Sequence, residues 1–252
     1  MTELLQVEHL QKQYPGFTLQ DISFSIKPGR IMGLIGKNGA GKSTALKSIL
    51  NMVRPDSGSV TMLGKDFYQN EEKCKQSIGV VFGGIDFYPL KKLSVITAVT
   101  RRFYKEWDQD RYEKYLSQFA LDENKQFRSL SNGMKVKYLL ALALSHNARL
   151  YLLDEPTSGL DPVSRDEILH IFTRIVKDGK RSILFSTHIT SDLDRCADDI
   201  TYIQNGVVLK STDRATFLRS FEHLKTPEDT QPLTLEEIML RTERRTLNEN
   251  AL

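Results

Sequence analysis

The feature that most constrains this chain is one nine-residue stretch near its N-terminus. Its residues are Gly36, Lys37, Asn38, Gly39, Ala40, Gly41, Lys42, Ser43 and Thr44, which fit the pattern G-x-x-x-x-G-K-[ST] of a phosphate-binding loop. The apolar residues 29–35 before it predict a short strand, and residues 45–50 after it predict a helix. A phosphate-binding loop requires this strand–loop–helix context, which favours it over a glycine-rich turn that binds nothing.

The residue types in this loop suit the chemistry of phosphate groups. Gly39 and Gly41 can take positive φ angles, so backbone N–H groups can approach phosphate oxygens without a Cβ in the way. The helix that follows directs its positive N-terminal end at the same oxygens. We expect Lys42 to bind the β- and γ-phosphates and Ser43 to offer its hydroxyl to Mg²⁺, which binds through few protein oxygens.

The composition argues against several classes of protein. The 252 residues are 40% hydrophobic and 27% charged, which is ordinary for a globular chain with a buried core. No apolar run approaches the roughly 18 residues of a membrane span, and residues 1–6 lack the features of a secretory signal. Cys74 and Cys196 lie far apart, which predicts reduced thiols in the cytosol. The net charge of +3 is too small an excess to indicate nucleic-acid binding.

Residues 2–35 predict a β-rich segment. Within it, residues 21–26 alternate polar and apolar side chains, as a half-buried strand does. Tyr14 lies just before the turn at Pro15-Gly16. Its ring could stack on an adenine or could cover the edge of the sheet, and both interpretations stay open.

A helical insert between two sheet strands is predicted after the apolar strand 78–82. Residues 95–107 and 110–120 have helical spacing, and Asp108 and Asp110 are candidate caps of the second helix. The lack of a basic surplus favours core packing over a base-stacking platform for the aromatic residues of this segment. These are Phe103, Tyr104, Trp107, Tyr112, Tyr115 and Phe119.

Polar residues at the ends of predicted elements supply candidate catalytic groups. The predicted strand 150–154, which is apolar enough to be buried, ends in Asp154 and is followed by Glu155. Asp154 could hold Mg²⁺ through a water molecule, and Glu155 could act as a general base. The alternative is that the two carboxylates form a solvated acidic turn. His188 follows the inner strand 181–187, where it could hydrogen-bond a γ-phosphate or cap the next helix.

The segment Leu130-Ser131-Asn132-Gly133 precedes a helix predicted from Tyr138 to Ser145. Ser131 could meet an anion at the start of this helix or could serve as an ordinary serine cap. Further along, Gln204-Asn205-Gly206 between two apolar runs predicts a β-hairpin.

Taken in order, these motifs resemble those of ABC-transporter ATPase subunits. The resemblance covers about residues 3–220 and rests on the phosphate loop, Leu130-Ser131-x-Gly133, Asp154-Glu155, Ser158-Gly159-Leu160-Asp161 and His188. It implies an α/β fold: a P-loop NTPase sheet with an N-terminal antiparallel β subdomain and an inserted helical subdomain. Residues 2–220 would form the ATPase domain, with the helical subdomain at about 85–145. Residues 221–252 would form a C-terminal tail of short, partly frayed helices.

The resemblance also implies roles for single residues. Tyr14 falls at the position of the family's adenine-stacking aromatic residue, and His188 falls at the position of its switch histidine. Ser131 and Gly133 fall in the family's signature, a segment that contacts the γ-phosphate held by the other subunit. Asp161 falls in the loop that communicates across the dimer. Two subunits, expected to be identical, would sandwich two ATP molecules with Mg²⁺ head to tail. Hydrolysis would power a multi-span membrane permease from the cytoplasmic face of the cell membrane, with no nucleic acid involved.

Two departures from the family pattern indicate a subgroup. Gly83-Gly84 stands where the family usually has a Mg²⁺-ligating glutamine, with Asp86 nearby, and Met134 replaces the usual glutamine of the signature. Both departures resemble subunits that serve separately encoded exporter membrane proteins, including antimicrobial-peptide and self-resistance exporters. Residues near 82–92 would form the docking groove for that partner. An importer subunit and a soluble ABC ATPase that acts on ribosomes or DNA are the alternatives.

Overall fold

Two β-sheets and the helices around them build the fold. The structure, a computed structural model, describes residues 3–82 and 88–249. The strands are β1 (Leu5–Tyr14), β2 (Phe17–Ile26), β3 (Ile31–Ile35), β4 (Ser57–Met62), β5 (Lys65–Asp66), β6 (Ile78–Phe82), β7 (Leu150–Asp154), β8 (Ser182–Thr187), β9 (Asp199–Gln204) and β10 (Val207–Asp213). The helices are α1 (Lys42–Ile49), α2 (Glu71–Lys75), α3 (Leu93–Thr100), α4 (Gln109–Gln118), α5 (Asn132–Leu144), α6 (Pro162–Val176), α7 (Thr190–Cys196), α8 (Arg214–Ser220) and α9 (Leu235–Glu249).

The larger sheet carries the strands that lead to the candidate site. Its order is β10-β9-β3-β8-β7-β6, parallel from β9 to β6, with β10 antiparallel at one edge. Every residue of β3, β7 and β8 is buried, as expected for parallel strands covered on both faces. Because parallel strands end at the same edge, the residues after Ile35, Asp154 and Thr187 lie close together.

The smaller sheet is antiparallel, with strand order β2-β1-β4-β5. Its apolar side chains, including Leu10 and Ile22, join Leu46 of α1 in a core on one face of the larger sheet. A second core on the other face contains Tyr151 and residues of α5 and α6. Together the two sheets confirm the predicted α/β class with an N-terminal antiparallel β subdomain.

Helices α3, α4 and α5 lie between β6 and β7 in the chain, where the sequence predicts a helical subdomain. The prediction of one helix over 95–107 was wrong, because α3 ends at Thr100 and a short 3₁₀ turn follows. The side-chain amide of Gln76 donates to the carbonyl of Phe103 and accepts from the N–H of Lys105, so tertiary hydrogen bonds replace those of a longer helix. The domain boundaries themselves stay a prediction.

The aromatic residues of this segment mostly pack into the core, as predicted. Tyr112 and Phe119 are buried, and Trp107 and Tyr115 pack against the same core. The remaining two differ. Tyr104 is half-buried and stacks on His146 with ring centroids 3.8 Å apart, whereas Phe103 is exposed.

Two turn and cap predictions have clear outcomes. The carboxylate of Asp108 accepts from the N–H of Arg111 at the start of α4, which confirms it as a cap. The hairpin between β9 and β10 is also confirmed; Asn205 and Gly206 both have positive φ angles, as a tight hairpin turn requires.

None of the helices within residues 3–82 and 88–249 is both long enough and apolar enough to cross a membrane.

Candidate functional site

A cleft of about 540 Å³ lies where the phosphate loop meets the ends of β7 and β8. Its lining residues are Phe17, Asn38, Gly39, Gly41, Lys42, Ser43, Thr44, Glu155, Ser158 and His188. Gly36, Lys37 and Ala40 belong to the same loop and do not line the cleft. The structure therefore brings most of the predicted loop together with the predicted general base and switch histidine.

Close packing explains two glycines of the phosphate loop. Gly41 caps α1 with a φ of 113°, and a Cβ there would approach Phe17 and Leu19 to 2.9 Å. At Gly36, a Cβ would lie 2.3 Å from the carbonyl oxygen of Ile203. Because α1 starts directly at Lys42, the unpaired N–H groups of its first turn lie beside the cleft, where they suit an anion.

Lys42 is a charged side chain held almost entirely inside the protein, with 5% of it exposed. Its ammonium donates to the carbonyl of Gly36 at 2.8 Å and to that of Lys37 at 3.3 Å. The carboxylate of Glu155 lies 3.3 Å from the same Nζ atom. A buried cation needs such partners, because desolvation without them is costly. The loop thus keeps one positive charge fixed in the cleft.

Asp154, the last residue of β7, connects the phosphate loop to the neighbouring strand β8. Its Oδ1 accepts from the hydroxyl of Ser43 at 2.9 Å and from that of Ser186 at 2.6 Å. The Ser186 oxygen in turn accepts from the backbone N–H of Glu155 at 2.9 Å. Hydroxyl and carboxylate oxygens in this arrangement are ligands that suit Mg²⁺, so the donor set fits the predicted metal.

Glu155 has a backbone conformation that favours a functional role. Its φ is 49°, in the left-handed region that non-glycine residues rarely adopt and that is concentrated at functional sites. The side chain lies between two partners, with Oε1 near the ammonium of Lys42 and Oε2 2.8 Å from Nδ1 of His188. A carboxylate oriented by a histidine and a lysine is suited to accept a proton from a water molecule in the cleft.

A buried network links the segment that follows Glu155 to the segment that follows His188. Thr157 and Asp192 are both fully buried, and the Thr157 hydroxyl donates to Asp192 at 2.6 Å. The guanidinium of Arg165 on α6 pairs with the other oxygen of Asp192. Asp192 lies on α7, just after His188, so the segments that carry Glu155 and His188 are linked to each other.

Ser131, Gly133 and Asp161 do not line the cleft formed by their own phosphate loop. Ser131 caps α5, where its hydroxyl accepts from the N–H of Met134 at 3.2 Å, and the helix begins at Asn132 instead of the predicted Tyr138. Asp161 caps α6 by accepting from Val163 and Ser164, and hydrogen bonds led by the Ser164 side chain lower the pKa of its carboxyl. The side chain of Ser131 is exposed, as is that of Asp161.

Phe17 is the aromatic residue that lines the cleft, whereas Tyr14 does not line it. The two are directly opposed in the β1–β2 hairpin, and the ammonium of Lys12 lies 5.7 Å from the Tyr14 ring centroid. Sequence reasoning assigned no role to Phe17 or Ser186, and it named Ser158 only as part of the segment 158–161. Nothing local distinguishes Phe17 or Ser186 from other residues of a strand.

Of the two departures from the family pattern, the one at Gly83-Gly84 cannot be compared with this geometry. Gly83, Gly84 and Asp86 lie outside the described residues, and so does part of the predicted docking groove at 82–92. Those predictions therefore stay as they were made.

Comparison with known proteins agrees with this fold. A family model described as ABC transporter matches residues 19–158. The ABC transporter ATP-binding protein YtrB of Bacillus subtilis (strain 168) is 30% identical over 211 residues, which are 83% of this chain and 72% of that protein. The bacitracin transport ATP-binding protein BcrA of Bacillus licheniformis is 28% identical over 228 residues, or 89% of this chain and 72% of that protein.

A solved structure of an ATP-binding subunit of an ABC transporter superposes with a TM-score of 0.82 at 26% identity, covering 95% of this chain and 99% of that one. Sequence and fold lead to the same family. The chain therefore belongs to the ABC transporter family, within which it is an ATP-binding and ATP-hydrolysing subunit.

Proposed function

We propose that two copies of this chain bind two MgATP molecules head to tail and power a separate multi-span membrane permease that exports its substrate. The head-to-tail arrangement is proposed from the location of the signature residues Ser131 and Gly133. Ser131 is exposed at the start of α5 and does not line the cleft of its own phosphate loop. A second copy would bring Ser131, Gly133 and the N-terminus of α5 to the γ-phosphate in that cleft, where N–H and hydroxyl donors suit an anion.

Each residue of the proposed site has a role that its contacts support. Backbone N–H groups of residues 36–44 and the Lys42 ammonium would bind the phosphates. Ser43 and Asp154 would hold Mg²⁺, which would neutralise charge on the β- and γ-phosphates when bound. Glu155 would accept the proton of the attacking water. His188, 2.8 Å from Glu155, would orient that carboxylate.

Tyr14 and Asp161, which do not line the cleft, have roles at its edges. Tyr14 would stack on the adenine together with Phe17, since the two are opposed across one hairpin and Phe17 lines the cleft. Asp161 is exposed at the start of α6, three residues beyond the cleft residue Ser158. From there it could communicate with the second subunit.

Export across a membrane is proposed from the relatives and from the sequence. BcrA is named for bacitracin transport, and the departures at Gly83-Gly84 and Met134 resemble the exporter subgroup. The chain would act at the cytoplasmic face of the membrane, held there by the permease.

The experiment that tests this proposal is a pull-down from native membranes with tagged Glu155→Gln in ATP and Mg²⁺. Co-purification of a multi-span membrane protein, identified by mass spectrometry, is the expected result. Recovery with ribosomes or DNA in the soluble fraction would contradict the transport proposal and leave the ATPase assignment standing. Lys42→Ala serves as the matched control, because a chain that cannot bind nucleotide should not be trapped with two ATP molecules.

We expect Ser186→Ala to lower ATP turnover and to lower the free energy of unfolding by about 1–3 kcal/mol. The fully buried Ser186 hydroxyl bonds both Asp154 and the N–H of Glu155, and its loss leaves buried polar groups short of a partner. Phosphate release and urea unfolding measure the two effects.

Ser182→Ala is the control for this variant. Ser182 is equally buried, starts the same strand and donates to the carbonyl of Lys27 at 3.0 Å. It should lose stability without a matching loss of turnover at the distant strand end. Equal turnover losses in both variants would mean that Ser186 acts through stability alone.

A further inference from the structure

The C-terminal helix α9 reaches the phosphate loop through one ion pair. The carboxylate of Glu243 lies 3.0 Å from the ammonium of Lys37, the second residue of the loop. The Glu243 side chain is only 19% exposed, whereas that of Lys37 is 46% exposed. Lys37 does not line the cleft, so the phosphate-binding roles proposed above do not account for this side-chain contact.

Glu243 is itself held from a second side. The hydroxyl of the fully buried Tyr202 donates to its Oε1 at 3.3 Å, while Oε2 meets Lys37. Tyr202 pairs in register with Ile35, the last residue before the loop. The carboxylate therefore joins α9 to the loop at the point where the loop leaves the sheet.

The helix that carries Glu243 is anchored firmly enough to hold the loop. Leu235 and Ile238 are buried in the core. The guanidinium of Arg241 makes two hydrogen bonds to Asp229, one of them 2.7 Å long, and another to the carbonyl of Leu224. These contacts hold α9 against the core and do not involve its ion pair with Lys37.

The backbone of Lys37 contacts a residue of the proposed nucleotide site, although Lys37 itself does not line the cleft. The carbonyl of Lys37 accepts from the ammonium of Lys42, at 3.3 Å, beside the carbonyl of Gly36 at 2.8 Å. Any shift of residue 37 therefore moves an atom that holds the phosphate-binding lysine. A fixed Lys37 keeps the loop in one conformation and reduces the ordering needed when nucleotide binds.

We infer that Glu243 is a positioning residue for nucleotide binding, which acts by holding Lys37 and so makes the C-terminal helix part of the phosphate loop's support. The inference rests on the proposed nucleotide site in the cleft. It gives a role to the C-terminal tail, which the sequence predicts as a segment separate from the ATPase domain.

The test compares MgADP binding by isothermal titration calorimetry in the full chain and its variants. MgADP reports on one phosphate loop without hydrolysis. We expect Glu243→Gln, which keeps an acceptor for Tyr202 and removes the charge, to raise the Kd roughly three- to five-fold, the range of a partly exposed ion pair. In ATPase assays the rise in KM should exceed any fall in kcat.

A double-mutant cycle separates the ion pair from unrelated effects. Lys37→Gln should weaken MgADP binding by a similar factor, and the double variant should be no weaker than the weaker single variant. Glu236→Gln, an exposed position on the same helix, is the control and should bind as the unmodified chain does. The exposed control Glu236→Gln should melt within about 2 °C of the unmodified chain, since substitutions at exposed positions change stability little.

The outcomes that overturn the inference are distinct from those that overturn the proposed function. An unchanged or lower Kd in Glu243→Gln, or a double variant whose loss is the product of the two single losses, would overturn it. If the unmodified chain bound neither MgADP nor MgATP, the proposed nucleotide site itself would fall.

Discussion

Replacing Glu155 by Gln is expected to slow ATP hydrolysis by about a hundred-fold or more while MgATP binding is retained. A general base typically contributes about 10²–10⁴-fold to a rate, and the amide of Gln cannot accept the proton of the attacking water. The substitution preserves the size of the side chain, so the left-handed backbone at this position and a hydrogen bond with His188 can persist. The effect should therefore fall on the chemical step and spare the fold.

Single-turnover phosphate release measures the rate, and equilibrium titration measures binding. If two copies close around ATP, size-exclusion chromatography of Glu155→Gln should show a dimer in MgATP that the unmodified chain loses as it hydrolyses the nucleotide. Glu72→Gln, at an exposed position of α2, is the control. Unchanged turnover in Glu155→Gln would remove Glu155 from the role of general base.

Replacing Lys42 by Ala is expected to weaken MgATP binding by about a hundred-fold or more. Its ammonium is buried and contacts two loop carbonyls and the carboxylate of Glu155. Removing one partner of a buried charge contact typically costs roughly 3 kcal/mol or more, which is over two orders of magnitude in Kd. The loop would also lose the cation around which its carbonyls converge.

Equilibrium titration with MgATP measures this loss, and thermal unfolding checks that the chain still folds. Lys42→Met retains the aliphatic chain, so it separates loss of charge from loss of packing and should bind as weakly as the Ala variant. Lys47→Ala, a half-buried lysine on the same helix that does not line the cleft, should bind normally. Tight binding by Lys42→Met would show that the charge is not what the nucleotide needs.

Local sequence patterns were enough to predict most of the elements around the cleft. Apolar runs such as 150–154 are buried on both faces, so their composition reports their place in a parallel sheet. The hairpin at Asn205-Gly206 needs positive φ angles, which these residue types supply. Sequence patterns predicted helix ends less reliably where hydrogen bonds from distant residues compete with hydrogen bonds within the helix. The helix from Leu93 ends at Thr100 because Gln76, far away in sequence, bonds the backbone beyond it.

The sequence alone determined the α/β class, the phosphate loop and the two carboxylates at the end of β7, because each depends on residues that are neighbours along the chain. Only the tertiary structure decided which distant side chains complete the site. Phe17, Ser186 and Glu243 reach the loop and the carboxylates from β2, β8 and α9. A serine in a strand or a glutamate in a tail carries no local signal of such a contact, since the contact arises only when the sheet order and the packing of α9 bring the segments together.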